Sequence, residues 1–233
     1  MACPKMPGTI HSVSVVRICL AVATLCILGC VLNGKVAGPR TEENQAINSV
    51  VVMPFDAVSH GHDLETSLRC PMCGAVFQGG PIKKGADTYM THELTEWMKE
   101  TTSCTLIPPG KAQSVRSRLL SEEIGLSEHR LIVEIGKRLE ADAVMTGTIY
   151  RFRRRVGASL SVDTPASVAF GMHLVRVSDG RLIWVGRFDE TQHSLSEDLF
   201  GLRTFVKRGG GWLTAEELAS FGLREVMATF SLH

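Results

Sequence analysis

Apolar residues recur along this chain at two spacings, and the switches between them lay out its elements. Val50 to Phe55 is a continuous apolar run closed by Pro54 and Asp56, the pattern of a strand buried on both faces. Met90, Leu94, Trp97 and Met98 fall on one stripe of a helix that Asp87 can cap. Thr105 to Ile107, ahead of Pro108-Pro109, reads as a second short strand. Lys111 to Leu120 and Ser127 to Leu139 read as helices, the second burying Leu131, Ile132, Ile135 and Leu139. Ala141 to Tyr150 alternates small and apolar residues, as a central strand does. Asp179-Gly180 between β-rich flanks predicts a hairpin with a type I′ turn, pairing Val177 with Leu182 and Val175 with Trp184, and on the opposite face Leu174 with Val185. Thr214-Ala215-Glu216-Glu217 is a capping box, with Leu213 and Leu218 as its hydrophobic staple, opening a helix whose Leu223, Val226, Met227 and Phe230 form a buried stripe. Between Ala57 and Gly85 no period holds, which predicts a long loop. The order strand, helix, strand, two helices, three strands, helix gives an α/β fold with a mixed β-sheet flanked by helices.

The pattern changes character before Ser49. Lys5 and Arg17 precede an apolar run from Ile18 to Leu28, with Thr24 its one polar residue, followed by Gly29 and Cys30, which is the shape of an export signal. That run is about half the roughly 20 apolar residues that a permanent span needs, so cleavage is the expectation. The residues Ile27-Leu28-Gly29-Cys30 resemble the lipobox of bacterial lipoproteins, with isoleucine where leucine is commoner. The resemblance implies that Cys30 becomes the acylated first residue of the mature chain. Only a thiol can take the diacylglyceryl group in thioether linkage, and the small Gly29 leaves the peptidase access to the bond. Each buried methylene adds about 0.8 kcal/mol, so several acyl chains hold a protein at a membrane almost permanently. Val31 follows the cysteine; by resemblance to enterobacterial sorting, the lack of aspartate there implies the outer membrane, periplasmic face.

The chain is therefore expected to divide into a signal peptide (1–29), a lipidated tether (30–48) and a single globular domain (49–233). The stretch from Val31 to Ser49 is polar and small, with Gly34, Gly38 and Pro39. Its nineteen residues reach at most ~65 Å and average ~25 Å as a coil, which keeps the domain near its own membrane. Composition adds an exclusion: with Lys+Arg 25 against Asp+Glu 24 and a net charge of +1, an exported chain of this kind is no nucleic-acid binder.

The segments Ser49 to Phe55, Ala141 to Thr148, and His173 to Val185 with its Asp179-Gly180 turn resemble one group of envelope proteins. That group comprises the N-terminal domain of TolB, the LpoB-type activators of penicillin-binding proteins and the curli secretion lipoprotein CsgG. The resemblance spans roughly Ser49 to Phe188 and implies a mixed sheet used for protein contacts in the periplasm, not for catalysis. Two departures matter. Membrane hairpins of a CsgG-like pore need strands of about 9 to 11 alternating residues, whereas Arg151-Phe152-Arg153-Arg154-Arg155 puts charge on both faces of any strand there. The LpoB-type activators cross the periplasm on long disordered linkers, and this tether is short. The partners implied are a membrane, through the lipid, and envelope proteins or further copies of the chain.

Three sets of side chains are candidates for chemistry. Cys70-x-x-Cys73, with His60, His62 and Asp63 upstream, offers four ligands for zinc, and Cys-Pro-x-Cys-Gly resembles one knuckle of a zinc ribbon whose second knuckle is missing. The same cysteines can instead form a disulfide with each other, or one of them with Cys104, or remain free thiols, or act in redox catalysis. Arg151, Arg153, Arg154 and Arg155, with Arg176 and Arg187 on neighbouring strands, can bind phosphate or carboxylate, or simply be solvated. Asp189-Glu190 places two carboxylates side by side, but adjacent strand residues point to opposite faces. Gly209-Gly210-Gly211 lacks the Lys-Ser or Lys-Thr of a phosphate loop, and neither Gly-x-Ser-x-Gly nor His-Glu-x-x-His occurs. A non-enzymatic interaction module is expected, with no cofactor unless zinc. A thiol or zinc protein centred on Cys70 and Cys73 and an oligomeric CsgG-like secretion component are the rival readings.

Overall fold

The computed structural model describes residues 46–58, 66–123, 125–157, 162–192 and 212–232. Gln45–His233 forms one compact unit. Its elements, in chain order, are β1 (Ser49–Val52), β2 (Asp56–Ala57), β3 (Ser67–Arg69), β4 (Val76–Gln78), α1 (Ala86–Thr101), β5 (Thr105–Ile107), α2 (Pro109–Glu122), α3 (Glu128–Arg138), β6 (Ala143–Arg153), β7 (Val156–Gly157), β8 (Val162–Thr164), β9 (Ser167–Arg176), β10 (Leu182–Thr191) and α4 (Ala215–Met227).

The main sheet runs β10-β9-β6-β1-β5, with β2 continuing beside the far half of β6. β1 is parallel to both its neighbours, while β6, β9 and β10 alternate in direction, so the α/β class with a mixed sheet is the observed one. Val50 to Val52 are wholly buried because helices cover both faces. On one face Val50, Val52, Met145, Phe170, Met172 and Leu174 pack with Met90, Leu94 and Met98 of α1 and Leu218, Leu223 and Val226 of α4. On the other, Val51, Met53, Val144 and Val175 pack with Ala112 and Leu119 of α2 and Leu131, Ile132 and Ile135 of α3. Those two helices leave the far half of the second face bare. The β3–β4 hairpin fills that gap, laying Cys70 and Phe77 over Tyr150 and Ala169.

The helix ends follow local chemistry. Ser127 caps α3, its hydroxyl accepting from the Arg130 amide at 3.3 Å. Thr214 and Glu217 form the expected capping box, the Thr214 amide donating to Glu217 Oε2 at 2.7 Å. The cap of α1 is Gly85 at φ +84°, not Asp87, which lies in the first turn where its charge favours the helix dipole. At the end of α3 the chain turns through Glu140 at φ +52°, with the Ala141 amide donating to the Gly136 carbonyl and the Glu140 amide to the Lys137 carbonyl, a Schellman closure.

Two expectations are corrected. Within the 57–85 segment, Ser67 to Gln78 is not loop: regular pairing of Ser67 with Gln78, Leu68 with Phe77 and Arg69 with Val76 makes a hairpin too short to show a period in sequence. At the β9–β10 turn only Gly180 has positive φ, so no type I′ turn forms. The Gly180 amide instead donates to the Arg176 carbonyl across a wider loop, Val175 pairs with Leu182, Leu174 with Trp184, and a bulge restores register.

Candidate functional site: a cysteine, histidine and tyrosine cluster under the hairpin

The turn between β3 and β4 is Cys70-Pro71-Met72-Cys73-Gly74. Gly74 takes φ +73°, a conformation with little cost for glycine alone, and lets the chain double back. The Gly74 amide donates to the Cys70 carbonyl at 2.9 Å and the Cys70 amide to the Ala75 carbonyl at 2.7 Å. This fold turns further amides onto the sulfurs: those of Met72 and Cys73 act on Cys70, and that of Ala75 on Cys73.

The sheet supplies the other half of the site. His173 stands in the middle of β9, buried between Gly171 and Val175 on the face that the hairpin covers, and its Nε2 lies 3.5 Å from Cys70 Sγ. One ligand atom each from Cys70, Cys73 and His173 fall within 4.8 Å of one another. Tyr150, from β6, is 2% exposed, and its ring stacks on Phe77 with centroids 4.2 Å apart and planes 7° apart. Its hydroxyl finds no partner at ordinary hydrogen-bond geometry, the Cys70 sulfur being the group it acts on. Gly171 makes room for the stack, since a Cβ there would lie 3.0 Å from the Phe77 ring.

The electrostatics separate the two thiols. Burial pushes Cys70 up, but His173, Tyr150 and the two backbone amides outweigh it and bring the thiol down to about 6. Burial raises Cys73, and the neighbouring Cys70 sulfur raises it further. Burial also raises the Tyr150 phenol, helped by Cys70. Glu128, at the start of α3, is raised by burial and then by Asp56, with Arg116 and His173 acting against both. At neutral pH the cluster is a thiolate beside a thiol, a set of donors suited to a soft metal ion or to thiol chemistry.

The sequence had pointed to only part of this arrangement. Cys70 and Cys73 come together as expected, whereas His60 and His62 lie outside the described residues. His173 and Tyr150 were missed; the available signal was a lone histidine among the otherwise apolar or small residues Ser167 to Val175. Cys104 packs on the opposite face, against the α1 side of the core, with its sulfur 3.3 Å from the Thr102 hydroxyl. No disulfide joins Cys70, Cys73 or Cys104.

The arginines differ in exposure: Arg154 and Arg187 are exposed, whereas Arg151 is withdrawn from solvent. Arg151 is 4% exposed and its guanidinium is engaged inside: Nη2 donates to Asp189 Oδ1 at 2.6 Å, Nε to the Ser167 hydroxyl at 2.5 Å, and Nη1 to the Gln78 carbonyl at 2.5 Å. Arg151 is therefore a fastener between hairpin and sheet, because Asp189 also accepts from the Gln78 amide at 2.9 Å. Arg153 is half-buried, and Arg155 donates to the Trp212 carbonyl at 2.5 Å. Asp189 is thereby committed to structure, not to acid/base work with Glu190.

No family model matches the chain, and no curated protein matches it. Among solved structures it is similar to the LpoB C-terminal domain from Salmonella enterica, at 16% identity over 63% of this chain and 84% of that one, with a TM-score of 0.38. It is also similar to PelC from Paraburkholderia phytofirmans, solved as a dodecamer, at 14% identity over 78% and 86% of the two chains, TM-score 0.44. A third is lipoprotein GNA1162 from Neisseria meningitidis, at 16% identity over 69% and 96%, TM-score 0.38. All three are under 25% identical with TM-scores below 0.5, so none of them carries a partner, an activity or a location to this chain.

Proposed function

We propose that this chain is a lipid-anchored protein of the bacterial envelope that works by contact with other envelope proteins or with its own copies, and not by catalysis. One observation carries the reading: an eleven-residue stretch, Ile18 to Leu28, apolar but for Thr24, delivers Gly29-Cys30 directly ahead of a polar stretch and a compact unit that begins at Gln45. The length of that run suits an export signal, and a thiol at that position suits thioether acylation. Several acyl chains would bind the protein to a bilayer with the cumulative strength of their methylenes, and the short stretch after Cys30 would confine the domain to that surface. The finer assignment, to the periplasmic face of the outer membrane, rests on Val31.

The test is metabolic labelling with a fatty-acid analogue in a bacterial host, comparing the natural chain with Cys30→Ala. The expected result is label on a chain that begins at Cys30 and sediments with membranes, and an unlabelled, unprocessed variant. A natural chain recovered from the cytoplasm with its starting methionine and no acyl group overturns the proposal. Cross-linking of the labelled protein in intact cells, followed by mass analysis, then tells a hetero-complex from self-association.

A further inference from the structure

We propose that Cys70 Sγ, Cys73 Sγ and His173 Nε2 bind one soft divalent metal ion of the zinc class, with the fourth coordination position facing the Tyr150 hydroxyl. The inference goes beyond the anchored-protein reading and does not rest on it.

Four observations carry it. Tetrahedral zinc with bonds of about 2.3 Å to sulfur and about 2.0 to 2.1 Å to nitrogen requires a sulfur-to-nitrogen separation of about 3.5 Å and a sulfur-to-sulfur separation of about 3.8 Å. Cys70 Sγ and His173 Nε2 are 3.5 Å apart, and all three donors fall within 4.8 Å, so loading needs only small adjustments. Secondly, the Cys70-to-Gly74 turn is held closed by the Gly74 amide on the Cys70 carbonyl at 2.9 Å and the Cys70 amide on the Ala75 carbonyl at 2.7 Å, which fixes both cysteines on one short turn. Thirdly, His173 is a buried polar side chain among the apolar and small residues of β9, and it is the Cys70 sulfur that its Nε2 meets. Fourthly, the Tyr150 hydroxyl is buried without an ordinary hydrogen-bond partner, on the sheet face that the turn covers. A water on the metal would give that hydroxyl its partner.

The donor set decides the class of ion. Two thiolates and an imidazole select zinc over magnesium or calcium, which take oxygen ligands. Binding releases to solvent the proton that the Cys73 thiol still holds, and Cys73, only partly buried, gives the ion a way in. A Cys70–Cys73 disulfide, the competing arrangement, would leave both His173 and Tyr150 without the group they surround. With three protein ligands the site is of the open kind, able to accept a water or the donor atom of a partner.

The experiment uses the full chain, purified in detergent, reduced, stripped with a chelator and titrated with Co2+ without oxygen. The expected result is one equivalent bound, with tetrahedral ligand-field bands and thiolate-to-cobalt charge transfer, both abolished by Zn2+. His173→Gln and Cys73→Ser should each weaken binding by at least about tenfold, Cys73→Ser also reducing the charge-transfer intensity. Cys73 is only partly buried, so its variant keeps the test valid if the buried histidine variant misfolds, as circular dichroism would reveal. A reduced, folded chain that takes up no cobalt overturns the proposal, and so does uptake indifferent to both substitutions.

Discussion

Phe77→Ala measures how firmly the hairpin is held on the sheet. The ring is 1% exposed, stacks on Tyr150 at 4.2 Å, and has the Arg187 guanidinium 5.8 Å above it. Truncating a buried phenylalanine costs about 3 to 5 kcal/mol, of which about 0.5 to 1.5 kcal/mol belongs to an aromatic pair. The hairpin's other ties are mostly single polar contacts: Gln78 to Asp189, Arg151 to Gln78, Cys70 to His173, and the Gly80 amide to the Tyr150 carbonyl at 3.2 Å. The variant should therefore lift its hairpin while the main sheet stays folded. Cys70, 1% exposed, reports this directly, because an alkylating reagent reaches it only when the hairpin is up. At about 1.4 kcal/mol per tenfold, the lost packing should speed alkylation of the reduced, metal-free protein by roughly a hundredfold to a few thousandfold. The urea midpoint should fall by less than the full cost, since local opening precedes global unfolding. Phe77→Leu, which retains much of the burial, should recover most of the protection. An alkylation rate within about threefold of the natural chain, at an unchanged urea midpoint, would refute the account of Phe77 as the anchor.

Three further outcomes follow from the same structure. Glu140→Gly should stabilise the domain by about 1 kcal/mol, because a side chain held at φ +52° carries a penalty of roughly 1 to 2 kcal/mol that glycine avoids; a urea midpoint that does not rise would remove that explanation. Asp189→Ala should cost towards the lower end of roughly 3 to 5 kcal/mol by leaving Arg151 buried without its counter-charge, whereas Arg151→Met combined with Asp189→Ala should cost less than the single change; a double variant worse than Asp189→Ala would contradict this. Partial burial pushes the Glu216 carboxyl up, but its pairing with Lys83 outweighs that and holds it below its ordinary value. A carboxyl lowered in the folded state contributes stability that is present above its unfolded pKa of about 4.5 and is lost as pH falls further. Lys83→Met should flatten the acid limb of stability against pH below about 5, and an unaltered limb would show that the pair adds nothing.

The elements that sequence made legible are those whose pattern outlasts noise. Thr214 with Glu217 announces α4, Ser127 announces α3, and the apolar run from Val50 announces a strand covered on both sides, since each signal is local and repeated over several residues. The β3–β4 hairpin was illegible because three residues per strand cannot display a period of two, and its one buried ring, Phe77, acquires meaning only against Tyr150. The β9–β10 register was misread because Asp179-Gly180 was given a two-residue turn, while the Asp179 carboxylate instead accepts from the Arg181 amide at 3.0 Å and stabilises a wider loop. Cys70 and Cys73 were visible as a pair from their spacing. Their histidine lies a hundred residues on, and only the sheet brings it near, so no local pattern could assign it. Arg151 looked like surface charge from its arginine neighbours; tertiary packing against Gln78, Ser167 and Asp189 overrode that impression.

The position of β1 has a mechanical consequence. The chain enters the folded unit not at a sheet edge but at an interior strand, hydrogen-bonded on one side to β5 and on the other to β6. At its threshold, Asp142 Oδ2 grips the Asn48 and Ser49 amides at 2.8 and 2.9 Å. Tension arriving through the residues before Asn48 would load two parallel ladders together in shear, so that many bonds must give at once, instead of unzipping an outer strand bond by bond. A domain entered through such a strand resists a pull on its first residues without fraying from that end.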